Sequence, residues 1–132
     1  MFRLTKINHS RTNIPEFLKI KFSNVMNLGQ GNAVYFNGES PQKHSTDDFP
    51  KYIVVGDYNY LYSKYIPCFE VTEDMVFLVE YTSSLAPKIG MRVGLTTMKS
   101  GTDSVGYDVY GKGRIVEVAS DKLVYVKFTK EE

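Results

Sequence analysis

Apolar residues in this chain recur mostly in steps of two. Within residues 113–128, Val116 and Val118 share one side of a pleat, and Val124, Val126 and Phe128 share one side of the next. Ala119-Ser120-Asp121-Lys122 between them is short, polar and turn-prone, so the two runs read as an antiparallel hairpin. A hairpin of that size needs further strands over its apolar face. The rest of the chain supplies them. Leu18, Ile20 and Phe22 alternate with Lys19 and Lys21, and residues 33–36 run into Asn37-Gly38, a hairpin-turn dipeptide. Residues 52–55, 66–71 and 75–81 are short apolar runs, the last being the longest. Met91, Val93 and Leu95 fall on one face, and residues 107–110 read as a short strand before the turn Gly111-Lys112-Gly113. Residues 27–32, 39–50 and 99–106 read as loops, and Pro67 predicts a strand edge or a strand start.

No stretch keeps a helical period. Strands recur about every ten residues with turn chemistry between them, which predicts an all-β body. Its architecture is a small β-barrel or a two-sheet sandwich of roughly eight to ten short antiparallel strands. With 132 residues the chain fits one domain. Residues 1–13 read as an extended N-terminal arm or an edge strand, and 14–132 as the body, with a break at 83–87. A hydrophobic share of 42% supplies a core that needs neither metal nor disulfide. Ten Tyr and eight Phe favour strands and broad contact surfaces. A net charge of +1 gives no bulk electrostatic case for nucleic acid. No apolar run reaches membrane-spanning length, and no leader pattern opens the sequence, so the expectation is a protein made in the cytoplasm without export.

Candidate chemistry is sparse. His9 and His44 sit far apart in polar segments, without the three or four donors of a metal site, and read as solvated loop residues. Asp47-Asp48 and Glu73-Asp74 are adjacent carboxylates that strand geometry points to opposite faces, so they read as turn acids. Cys68, between Pro67 and Phe69, reads as a small buried hydrophobe. The glycines of Gly111-Lys112-Gly113-Arg114 precede a strand, not a helix, and shape a turn instead of a phosphate site. No catalytic residue, metal or cofactor is therefore expected. Tyr58, Tyr60, Tyr62 and Tyr65, beside Lys64, leave three readings open. They stack the bases of a single strand, form a protein contact face, or pack as core rings with hydroxyls at the rim.

Two resemblances add to this. Ile89-Gly90-Met91-Arg92-Val93, Gly113-Arg114-Ile115-Val116-Glu117-Val118 and Val124-Tyr125-Val126-Lys127-Phe128 resemble a small SH3-like barrel, which indicates an architecture and no activity. The opening from Leu4 through Thr12-Asn13-Ile14-Pro15-Glu16 is similar to the starts of small structural proteins of tailed bacteriophages, crAss-like phages among them. Gly31-Asn32-Ala33-Val34-Tyr35 and Ile66-Pro67-Cys68-Phe69-Glu70-Val71 share that style. The resemblance implies a non-enzymatic virion protein, a capsid auxiliary or decoration protein that binds the major capsid protein and neighbouring virion proteins. It implies no cofactor and no membrane, with self-association on the shell as an option. The expected contact residues are Phe2, Arg3, Leu4, Lys6, Ile7 and Arg11 in the arm and Tyr58, Tyr60, Tyr62 and Tyr65 in the tyrosine run. On that reading, removal of residues 1–13 abolishes binding and leaves the domain folded. The alternative is a nucleic-acid-binding β-barrel.

Overall fold

The structure, a computed structural model, describes residues 1–7, 16–19, 30–38, 40–42, 44–45, 48–54, 65–98 and 103–130. Among them the alternating pattern gives eleven strands and no helix. They are β1 (Arg3–Ile7), β2 (Glu16–Lys19), β3 (Ala33–Asn37), β4 (Ser40–Gln42), β5 (Tyr52–Val54), β6 (Tyr65–Glu70), β7 (Met75–Glu80), β8 (Arg92–Thr97), β9 (Asp103–Tyr107), β10 (Gly113–Ser120) and β11 (Leu123–Phe128). A six-stranded sheet has the order β1-β7-β11-β10-β8-β9, and a five-stranded sheet the order β2-β6-β5-β3-β4. All paired strands in both are antiparallel. Of the two architectures expected, this is the sandwich: the sheets do not close into a barrel. The six-stranded sheet curls, and Tyr81, just past β7, meets Val105 of β9 in an isolated parallel bridge.

The core lies between the sheets. Phe2, Phe77 and Phe128 pack ring against ring, with centroids 5.7–6.2 Å apart. Ala33 and Ile53 of the five-stranded sheet join the same buried cluster as Val79, Val93, Val105, Val124 and Val126. The most apolar run, β7, is flanked on both sides by strands of its sheet and buries Met75, Val76, Phe77 and Val79. Cys68 is fully buried, as its apolar neighbours predict.

The terminal hairpin forms as expected, with Val124, Val126 and Phe128 inside. Val116 corrects the pattern. A register shift between Ile115 and Glu117 sets two residues of β10 against one of β11. Side-chain parity changes there, so Ile115 is buried, Val116 is exposed and Val118 packs on the core.

Other boundaries move for local reasons. The polar stretch at 39–50 contains β4, joined to β3 through Gly38, whose φ of +65° suits the tight hairpin. The loop expected at 99–106 ends early, because β9 starts at Asp103 and pairs with β8 from Val93 to Thr97. Val105, in the middle of β9, is fully buried. Residues 108–110 are consequently not strand but turn, with Gly111 N–H donating to the Asp108 carbonyl at 3.0 Å. Gly111 is there because a Cβ would lie 2.0 Å from the Val93 carbonyl oxygen. Pro67, expected at an edge, sits in β6 between β2 and β5. The described ladder with β5 begins only at Cys68, so the proline lies where that pairing stops.

Residues 3–7 take the edge-strand option. β1 pairs with β7, Phe2 is 2% exposed, and its N–H donates to the Gly31 carbonyl at 3.0 Å. This overturns the expectation that residues 1–13 are dispensable for folding, since removing them takes a strand and a core ring.

Candidate protein-contact surface

The structure separates the expected contact residues. Phe2 is core, and Leu4 packs half-buried against the same cluster, so neither presents a free face. The Arg3 guanidinium binds Glu80 Oε2 at 2.8 Å, and the Met1 amino group meets Oε1 at 2.6 Å. Partial burial alone would raise the Glu80 pKa; the hydrogen bonds from the amino group and Arg3 outweigh it and hold the carboxyl below its ordinary value. Arg3 thus ties β1 to the sheet. Lys6 and Ile7 lie in β1, and Tyr65 opens β6. The side chains of these three, and all of Arg11, Tyr58, Tyr60 and Tyr62, lie outside the described residues, as do His9 and Asp47.

A different surface emerges at the β7–β8 connection and the β9–β10 turn. Ile89 is 72% and Tyr110 74% exposed, and Leu85, Val109 and Tyr107 are each about half exposed. These two segments are tied together. The Tyr107 N–H donates to Ser83 Oγ at 2.7 Å, and the Gly90 N–H to the Ile115 carbonyl at 2.8 Å. The buried Tyr81 hydroxyl donates to the Leu85 carbonyl at 2.5 Å, and burial pushes its pKa up, so it stays a donor. The apolar side chains therefore project from loops whose backbones are already fixed. A fixed backbone loses little further entropy when a partner docks.

Sequence reasoning missed this surface. From sequence, Val109 and Tyr110 read as strand, and Ile89 stands outside the face formed by Met91, Val93 and Leu95. The available signal was Pro87 and Gly90 bracketing Lys88-Ile89, an apolar residue in a segment too punctuated for a strand.

Between these loops lies a recess of about 210 Å³, lined by hydroxyl-bearing residues such as Thr82, Ser83 and Thr96 and by Tyr107 and Asp108. Several of its polar groups are already engaged: Ser83 Oγ by the Tyr107 N–H, Thr82 Oγ1 by the Val105 carbonyl.

Two polar clusters hold the sandwich elsewhere. Asp103 Oδ2, at the start of β9, accepts from Asn32 Nδ2 at 3.0 Å and from the Ala33 N–H at 2.8 Å, linking the two sheets. His44 is not the solvated residue expected, for its side chain is 5% exposed. Its Nε2 accepts from the Lys51 N–H at 2.9 Å, and its ring lies 5.2 Å from that of Tyr35. Nδ1 is 3.8 Å from Asp48 Oδ2. Burial lowers the His44 pKa against the opposing pull of a Val34 backbone hydrogen bond and the Asp48 and Asp103 charges. Among the described residues no group of three or more His, Cys, Asp or Glu gathers as for a metal ion. Comparison of the chain with protein-family models, curated proteins and solved structures finds no match.

Proposed function

We propose that this protein is a non-enzymatic contact protein, an auxiliary or decoration protein of a phage capsid that binds the major capsid protein and steadies the shell. The observation that carries the contact role is the pair of fixed loops presenting Ile89, Val109 and Tyr110 to solvent. Large side chains exposed together on rigid backbone are costly in water unless a partner covers them. The capsid assignment rests on the sequence resemblance to small structural proteins of tailed phages. A two-sheet sandwich suits the role, since a cementing subunit must keep its shape alone and when bound. Many copies acting together need only modest affinity at each contact.

The test is co-sedimentation with shells assembled from the capsid protein of the same genome. The wild-type chain is expected in the pellet with the shells, and the Ile89→Asp, Tyr110→Asp double variant in the supernatant. Both positions are largely exposed, so the variant keeps its fold. A wild-type chain that never pellets with shells refutes the capsid reading.

A further inference from the structure

The register lines up three cations across neighbouring strands. Arg92 of β8 stands opposite Arg114 of β10, and Arg114 stands opposite Lys127 of β11. Their sequence neighbours Val93, Gly113, Val126 and Phe128 are buried, so strand alternation places the three on the outer face of the sheet. With strands about 4.8 Å apart, the row is about 10 Å wide. Like charges set directly opposite one another destabilise a sheet. Among the described residues none of the three forms an ion pair. Asp108 sits beside Arg92, its N–H donating to the Arg92 carbonyl at 3.2 Å and its Oδ1 accepting the Tyr110 N–H at 2.9 Å, and Glu117 lies beyond the Val116 bulge.

The row is joined to the exposed loops. Arg92 Nε donates to the Gly111 carbonyl at 3.2 Å, and Arg114 Nη1 to the Gly90 carbonyl at 3.5 Å. Each guanidinium is thereby held beside a loop that carries exposed apolar side chains. One donor is used on the loop, and the planar fork retains others suited to a carboxylate.

We infer that the cation row and the two loops form a single docking face for an acidic protein surface. The partner's carboxylates settle over Arg92, Arg114 and Lys127, while Ile89, Val109 and Tyr110 enter an apolar depression beside them. This deepens the contact role proposed above and rests on it, while it does not depend on the partner being a capsid. Protein is favoured over single-stranded nucleic acid because aliphatic Ile89 and Val109, which offer a base no ring to stack on, share the face with the exposed rings of Tyr107 and Tyr110, and the chain's net charge is only +1.

The test uses the full chain and fluorescence anisotropy with three labelled probes: a peptide interleaving Glu and Asp with Phe and Leu, the same peptide with Lys in place of the acids, and oligothymidylate. The acidic peptide is expected to bind best and to weaken as salt rises. Arg114→Glu and Ile89→Asp should each weaken it by about ten-fold or more, equivalent to about 1.4 kcal/mol. Arg114→Glu should leave the Tm unchanged or raise it, because it relieves repulsion along the row, whereas a residue needed only for folding would lower it. The proposal is overturned if the Lys peptide binds equally, if oligothymidylate is preferred, if no probe binds at low salt, or if Arg114→Glu binds as wild type. Shell binding without acidic-peptide binding removes this face and keeps the contact role. The reverse result keeps the face and removes the capsid.

Discussion

Replacing Phe2 with Ala tests whether the first strand belongs to the body of the protein. The ring is 2% exposed and meets Phe77 edge-on at 6.0 Å and Phe128 at 5.7 Å. Both partners sit in the two strands next to β1 in the sheet order, so they cannot close fully over the space left behind. A buried Phe→Ala change costs about 3–5 kcal/mol. β1 lies at a sheet edge and relaxes more readily than an interior strand, which points to about 3–4 kcal/mol within that range. Against a total stability of about 5–15 kcal/mol for a single domain this is a large fraction. Urea unfolding of both proteins measures it, with an unchanged m-value and a midpoint lowered by roughly 2 M at ordinary m-values. Leu85→Ala, at a half-exposed position, is the control and should stay within about 0.5 kcal/mol. A Phe2→Ala loss below about 1 kcal/mol would refute the placement of Phe2 in the core.

Three further outcomes follow from the same geometry. Gly111→Ala drives a methyl into the β8 backbone at Val93 and should cost about 3 kcal/mol, at the top of the overpacking range, read by thermal unfolding. Asp103→Ala strands the Ala33 N–H beneath the sheets and should cost about 1–3 kcal/mol, with faster hydrogen exchange at that amide. Folded His44 is held neutral with a lowered pKa, so the unfolded chain binds the extra proton first as pH falls. The stability due to His44 is therefore complete above the ordinary histidine value of about 6.5 and declines below it. Urea midpoints across pH 7.5 and 5.5, at roughly one unit either side of that value, should fall more for wild type than for His44→Gln.

Much of the fold was legible because its signal is local. The alternation in 123–128, the apolar run at 75–81 and the Asn37-Gly38 turn each state their structure within a few residues. What escaped depends on distant neighbours. Val116 faces outward because of a bulge set by pairing with β11, and residues 103–107 become a strand because β8 offers a complete edge, not through their own propensity. His44 reads as a loop residue until Tyr35 and Lys51 close around it. The proposed contact surface was the least legible part. Phe2 and Leu4 look like an arm until β7 claims them, and the exposure of Ile89 and Tyr110 shows only once the two connections are tied. The row of Arg92, Arg114 and Lys127 spans 35 positions of sequence and exists only through register.

Hydrogen exchange of the chain free and bound to assembled shells tests the contact role most directly. Protection is expected at 85–91 and 107–116, with β1 equally protected in both states. Protection confined to residues 1–7, with the two loops unchanged, would contradict the account.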